Sequence, residues 1–183
     1  VNGLRSSLLP LATDRLRLRA HESSDAEWLQ GVYSQPEVAR YLLDEPWTPE
    51  DAAKRTEERL VKTDLDSDAA ALALVIERDC TPIGDVLLWL TDVERRIAEV
   101  GWVLDPAHGG RGFAREAVAE VLRVAFEHYR LHRVTAQMDA RNVASAKLAS
   151  ALGMRQEAHM RQDWWNKGEW TDTLVFAMLA GDR

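Results

Sequence analysis

Apolar and charged residues alternate through Leu16-Arg17-Leu18-Arg19, the two-residue period of a strand with one face exposed. The period then changes. Ser23 or Ser24 is placed to cap a helix whose Trp28, Leu29 and Val32 share one face. A short helix with Val38, Tyr41 and Leu42 inward is expected after Pro36. Thr48-Pro49-Glu50-Asp51 combines a capping hydroxyl, a proline suited to the first turn and acids near the positive end of the dipole, predicting a helix to about residue 62.

Residues 69–76 and 83–90 are apolar on both faces and joined by Asp79-Cys80-Thr81-Pro82, which predicts an antiparallel pair inside a covered sheet. Residues 97–104 give a third strand, stopped by Asp105-Pro106. After a glycine-rich stretch, Val118, Val121, Leu122, Ala125 and Tyr129 recur at three and four residues, the buried stripe of a helix. Val134, Ala136 and Met138 alternate in the next strand, so strand, helix and strand form a β-α-β unit with parallel pairing. Asn142 is placed to cap a helix with Ala144, Leu148, Ala151 and Leu152 inward, and Gly153 ends it. Residues 154–179 read as two strands split by a polar, tryptophan-rich hairpin at 163–170. With no repeat or linker, the 183 residues read as one α+β domain, with residues 1–12 as an N-terminal extension.

Composition narrows the function classes. The net charge of -7 argues against nucleic-acid or membrane-surface partners, which call for a basic patch, and suits a cationic substrate such as an amine. One cysteine, Cys80, permits neither an intrachain disulfide nor a cysteine-based metal site, and no metal is expected. No stretch approaches the ~20 apolar residues of a membrane helix, and the chain reads as cytoplasmic.

The strongest local signal is Gly109-Gly110-Arg111-Gly112-Phe113-Ala114, between a strand and a helix. Glycine accepts positive φ and lets a ligand reach backbone amides, while the helix start offers free N–H groups and partial positive charge. Together they predict a phosphate site, with Arg111 and Arg115 adding charge for a pyrophosphate or 3′-phosphate. A Walker loop would need Gly-Lys followed by Ser or Thr, and a dinucleotide fingerprint would need a small residue where Arg115 stands. Neither is present.

At this point the chain resembles the GNAT superfamily of N-acetyltransferases, in its RimJ/RimL-like branch. Gly112 and Ala114 match the last two positions of the family's acetyl-CoA signature, Gln/Arg-x-x-Gly-x-Gly/Ala, whereas Gly109 stands where Gln or Arg is usual. Ala98-Glu99-Val100-Gly101-Trp102 looks like the family's fourth strand. Asn142-Val143-Ala144-Ser145 with Leu152-Gly153-Met154 resembles its Asn-x-x-Ser…Leu-Gly-Phe segment, and Lys167-Gly168-Glu169-Trp170 its terminal hairpin.

The resemblance implies a mixed, mostly antiparallel sheet with a central β-α-β unit and helices on both faces. It also implies acetyl-CoA as co-substrate, held by Trp102, Val103, Leu104, the loop 109–115 and Asn142. The strands around 97–104 and 134–138 are expected to splay, freeing amides near Val103 and Leu104 for the thioester oxygen. Ser145 could protonate the departing thiolate; the plain alternative is a first-turn serine satisfying a backbone amide. Asn142 has capping and cofactor contact as its two jobs. Glu99, a carboxylate in an apolar strand, is either the group that binds or deprotonates the amine or one half of a structural ion pair; Asp85 is a weaker candidate for the same task. Trp164, Trp165 and Trp170 wall an acceptor pocket or, as is more usual, serve the core or a homodimer contact, and His108 is expected to be idle. Acceptors range from a protein N-terminus to a small-molecule amine; the alternatives are a non-catalytic acyl-CoA-binding domain and a different donor such as succinyl-CoA.

Overall fold

The computed structural model describes residues 8–182. Its centre is a nine-stranded mixed sheet in the order β1-β2-β4-β5-β6-β7-β9-β8, with β3 paired to β4. β1 (Leu11–Ala12), β2 (Arg17–Ala20) and β3 (Thr63–Asp64) are short. β4 (Ala71–Arg78) and β5 (Thr81–Asp92) form the expected antiparallel pair, with β4 buried from Ala71 to Glu77. Their link is tighter than the sequence suggested: Asp79 (φ 49°) and Cys80 (φ 62°) alone turn the chain. β6 (Ile97–Leu104) runs antiparallel to β5 and parallel to β7 (Arg133–Asp139), and α4 (Phe113–Glu127) makes the crossover.

Helices cover both faces. On one, α4 packs Ala117, Val118, Val121, Leu122 and Ala125 onto the sheet beside Val100, Val134 and Phe176. On the other, α1 (Asp25–Tyr33), α2 (Pro36–Ala39) and α3 (Pro49–Leu60) enclose a smaller cluster of Leu29, Val32, Tyr33, Trp47 and Ala52. Thr48 forms a capping box with Asp51 at the start of α3, and Pro49 takes the first turn, as the sequence predicts. Among the described residues no helix is long and apolar enough to cross a membrane.

Several expectations are corrected. Ser24 precedes α1 without a side-chain cap; Asp25 instead accepts from the Glu22 amide (2.7 Å) while paired with Arg19. In α5 (Val143–Ala151) Ala149 is buried, and Leu148, with Leu152 just after the helix, packs against the core as expected, whereas Ala144 and Ala151 are exposed. β8 (Arg155–Asn166) and β9 (Glu169–Leu179) meet in a turn at Lys167 and Gly168, and β8 is an edge strand open to solvent over most of its length. Residues 1–7 of the expected N-terminal extension lie outside the described residues, and Leu11–Ala12 pairs with β2.

Candidate active site

The glycine loop is built as an anion cradle. Asp105 accepts from the Ala107 amide (3.0 Å) and turns the chain after β6. Gly110 (φ 72°) and Gly112 (φ 79°) then take the left-handed conformation that side-chain-bearing residues resist. The Glu116 amide is the first in α4 to find a helical carbonyl, that of Gly112 at 3.0 Å. The amides of residues 110–115 donate to no described residue, so six consecutive N–H groups stand open at the positive end of a 15-residue helix. This arrangement fits a pyrophosphate.

The cleft beside the cradle encloses about 490 Å³. All the predicted cofactor residues line it except Arg111, whose side chain is exposed outside it. Arg115 contributes a cation without an ion pair among the described residues, and so does Lys147 of α5, which sequence reasoning missed. Lys147 follows the Asn-x-x-Ser segment by two residues, and its spacing from that motif was the available signal. A second miss is the loop's support. Glu116 receives Thr13 Oγ1 (2.6 Å) and Arg15 Nε (2.6 Å), and Arg15 Nη1 donates to the Arg111 carbonyl (3.1 Å). The Arg15 guanidinium also lies 4.7 Å from the Phe113 ring centre, tying the first described strands to the loop.

β6 and β7 part as expected. Their register pairs Ile97, Ala98 and Glu99 with Arg133, Val134 and Thr135 and goes no further, while β6 stays on β5 as far as Leu104. The open edge is not quite the one predicted. The Asp105 amide donates to the Ile83 carbonyl (2.8 Å), and by the alternation of an antiparallel ladder the Val103 and Gly101 amides turn the same way, toward β5. Those of Trp102 and Leu104 therefore face the gap. Leu104 keeps its expected position, and for Val103 the contribution to the cleft is its side chain.

Asn142 and Ser145 stand across this gap. Asn142 Oδ1 accepts from the Ser145 amide (3.1 Å), so the capping job is filled by that oxygen, and the side-chain nitrogen has no partner among the described residues. Ser145 Oγ likewise bonds to no described group, which leaves the hydroxyl available to a ligand.

A second cleft of about 500 Å³ opens on the α1–α3 face and shares Tyr41, Leu42, Trp102, Val103, Asn142 and Ser145 with the first. Its walls are aromatic, from Tyr33, Trp47 and Trp89. Trp164, Trp165 and Trp170, half-exposed on the β8–β9 hairpin, line neither cleft. Glu99 shares the face of β6 with Gly101 and Val103, which line this cleft, but lines neither cleft itself. It accepts from Gln137 Nε2 (3.0 Å), a residue of the cleft wall, and burial pushes its carboxyl above the ordinary range despite that bond. No described arginine pairs with it. Asp85 is fully buried, taking Tyr33 Oη (2.6 Å) and Arg59 Nε (3.2 Å) on its two oxygens. His108 is half-buried, its Nδ1 has no partner among the described residues, and it lines neither cleft.

A mixed sheet split between two parallel strands, with an amide cradle on one side and an aromatic cleft on the other, defines a two-substrate transferase with a phosphate-bearing donor. The chain belongs to the GNAT acetyltransferases: residues 15–155 match the model of the Acetyltransferase (GNAT) domain. It is 31% identical over 169 residues to an N-acetyltransferase of Bacillus licheniformis named p20, covering 92% of this chain and 95% of that one. Two solved structures share the fold. The ribosomal L7/L12 alpha-N-protein acetyltransferase RimL, in complex with coenzyme A, superposes with a TM-score of 0.81 at 18% identity, covering 92% and 96% of the two chains. The spermidine N-acetyltransferase of Vibrio cholerae, in complex with CoA and spermine, does so at 0.79 and 23%, covering 93% and 98%. The protein is an acetyl-CoA-dependent N-acetyltransferase.

Proposed function

We propose that the acceptor is a primary amine of lowered pKa, above all a protein or peptide α-amine, and that it enters through the aromatic cleft to meet the acetyl group at the β6–β7 gap. The observation that carries this reading is the meeting of the two clefts at Trp102, Asn142 and Ser145. The RimJ/RimL-like pattern of the sequence supports it, and the absence of histidine from the described residues lining the acceptor cleft adds to it.

In this account the amides of residues 110–115, with Arg115 and Lys147, hold the phosphates. The edge groups of Trp102 and Leu104, with Asn142, hold the pantetheine arm and the thioester oxygen. Acetyl-CoA supplies an activated acetyl group, so that a C–N bond forms as the C–S bond breaks. Glu99, held by Gln137, receives through water the proton that the amine sheds, and Ser145 Oγ gives one to the leaving thiolate. Thiol release from acetyl-CoA across a panel of peptides, polyamines and small amino compounds tests the reading. Turnover confined to polyamines would overturn the α-amine preference.

A further inference from the structure

The acceptor cleft has a charge pattern that bears on what the amine is attached to. Five charged side chains line it: Asp44, Arg55, Glu58, Arg59 and Lys62. Arg55 holds both Asp44 oxygens at 3.1 Å and Glu58 at 3.2 Å. Arg59 is nearly buried against Asp85, its guanidinium 5.2 Å from the Trp47 ring centre. Lys62 is half-buried, and its side chain makes no hydrogen bond or ion pair with any described residue. Arg55 thus holds both lining acids and Arg59 is taken by Asp85, which leaves Lys62 as the one charged side chain on the lining without an ion pair among the described residues.

Resting on the reading of this cleft as the acceptor site, we infer that the acceptor carries an anionic group several bonds from its reactive amine and that Lys62 receives it. The fold supplies the spacing. The Lys62 carbonyl accepts from the Ala73 amide (2.7 Å), Ala73 pairs with Leu87, and Leu87 pairs with Gly101. Lys62 therefore lies on the row that crosses the sheet to Gly101 on β6, beside the gap. The three spacings from Lys62 through β4 and β5 to β6 are roughly 15 Å between backbones, and the Lys62 side chain, which lines the cleft, takes up part of that distance. An acidic side chain at the second or third residue of a peptide spans such a distance while its α-amine lies at the gap. The aromatic walls keep water low around this pair and strengthen it relative to a surface contact. A polycation entering the same cleft meets two carboxylates already held by Arg55 and one cation without an ion pair among the described residues.

The test follows thiol release from acetyl-CoA with the full chain, using peptides with free N-termini that carry Glu or Gln at the second and third positions, and spermidine. The wild-type protein should use the Glu peptide about tenfold more efficiently in kcat/KM than its Gln counterpart or spermidine. Lys62→Gln should erase that ratio, chiefly through KM, and Lys62→Arg should keep it. A ratio unchanged by Lys62→Gln, or spermidine as the better acceptor, overturns the proposal. If Lys62→Gln instead removes a preference for succinyl-CoA over acetyl-CoA, the carboxylate belongs to the donor and the proposal also fails. If no amine is acetylated although calorimetry shows acetyl-CoA bound, the acceptor reading itself is wrong, and this inference falls with it.

Discussion

Gly112 shows how one residue decides a ligand. At φ 79° it starts α4 in a conformation costly to any side chain, and its amide is one of the six left open. Gly112→Asp adds both strain and a negative charge beside the phosphates, and calorimetry on the folded variant should show acetyl-CoA binding weakened at least about tenfold, or 1.4 kcal/mol. Ser145 was legible in the sequence as an alternative, acid or cap, and the geometry shows Asn142 as the cap and the Ser145 hydroxyl unengaged among the described residues. Ser145→Ala should lower kcat by on the order of a hundredfold with acetyl-CoA affinity nearly retained; full kcat would leave protonation to water. Glu99 carries a sign that a structural acid would not. Burial raises its pKa, so folding favours the protonated form: that stability is present below the ordinary value of 4.5 and is lost as pH rises through the raised one. Glu99→Gln should therefore melt above the wild type at pH 7, with the gap closing as pH falls, while acetylation slows. A variant less stable at neutral pH would make Glu99 a structural residue.

At the scale of elements, what the sequence announced was what local chemistry enforces. The Thr48-Pro49-Asp51 start, the apolar runs of β4 and β5, the stripe of α4 and the end of α5 at Gly153 (φ 89°) all stand where their signals lie. Contacts made at long range were not legible. Alanine carries little directional signal, so the face of α5 could not be told from Ala144, Ala149 and Ala151. The tryptophans of the β8–β9 hairpin could not be placed for a similar reason: nothing local says which side of an edge strand stays bare. The buried polar layer beneath α1 and α3 was likewise silent. There His21 lies 4.0 Å from both Asp25 and Asp85, with neither ring nitrogen hydrogen-bonded to a described residue, and burial lowers its pKa to about 4. A depressed pKa means stability held above the ordinary 6.5 and lost as pH falls toward about 4. Urea titrations should show the wild type losing on the order of 2–3 kcal/mol across that window, with most of the loss absent in His21→Gln. Equal acid sensitivity in both would place the loss elsewhere.

For the molecule as a whole, function depends on a topological fact that no local pattern contains: β6 and β7, parallel for three residue pairs, separate and let two clefts meet. The β-α-β unit was readable from its strand, glycine loop and helix, and with it the donor side. The acceptor side proposed above is assembled from α1 to α3, the segment between α2 and α3, and the face of β5 and β6, pieces too far apart in sequence for any motif to join. With the function proposed above, this site favours an amine already partly neutral. An α-amine with a pKa near 8 is about a tenth neutral at pH 7, against less than about 0.1% for a lysine near 10.4. A carboxylate such as Glu99 is a weak base with which to close a gap of roughly two hundredfold. The most direct measurement compares thiol release from acetyl-CoA for a short peptide with a free N-terminus and for its N-blocked, lysine-containing counterpart. Faster acetylation of the free N-terminus is the predicted result, and faster acetylation of the blocked peptide would contradict the account.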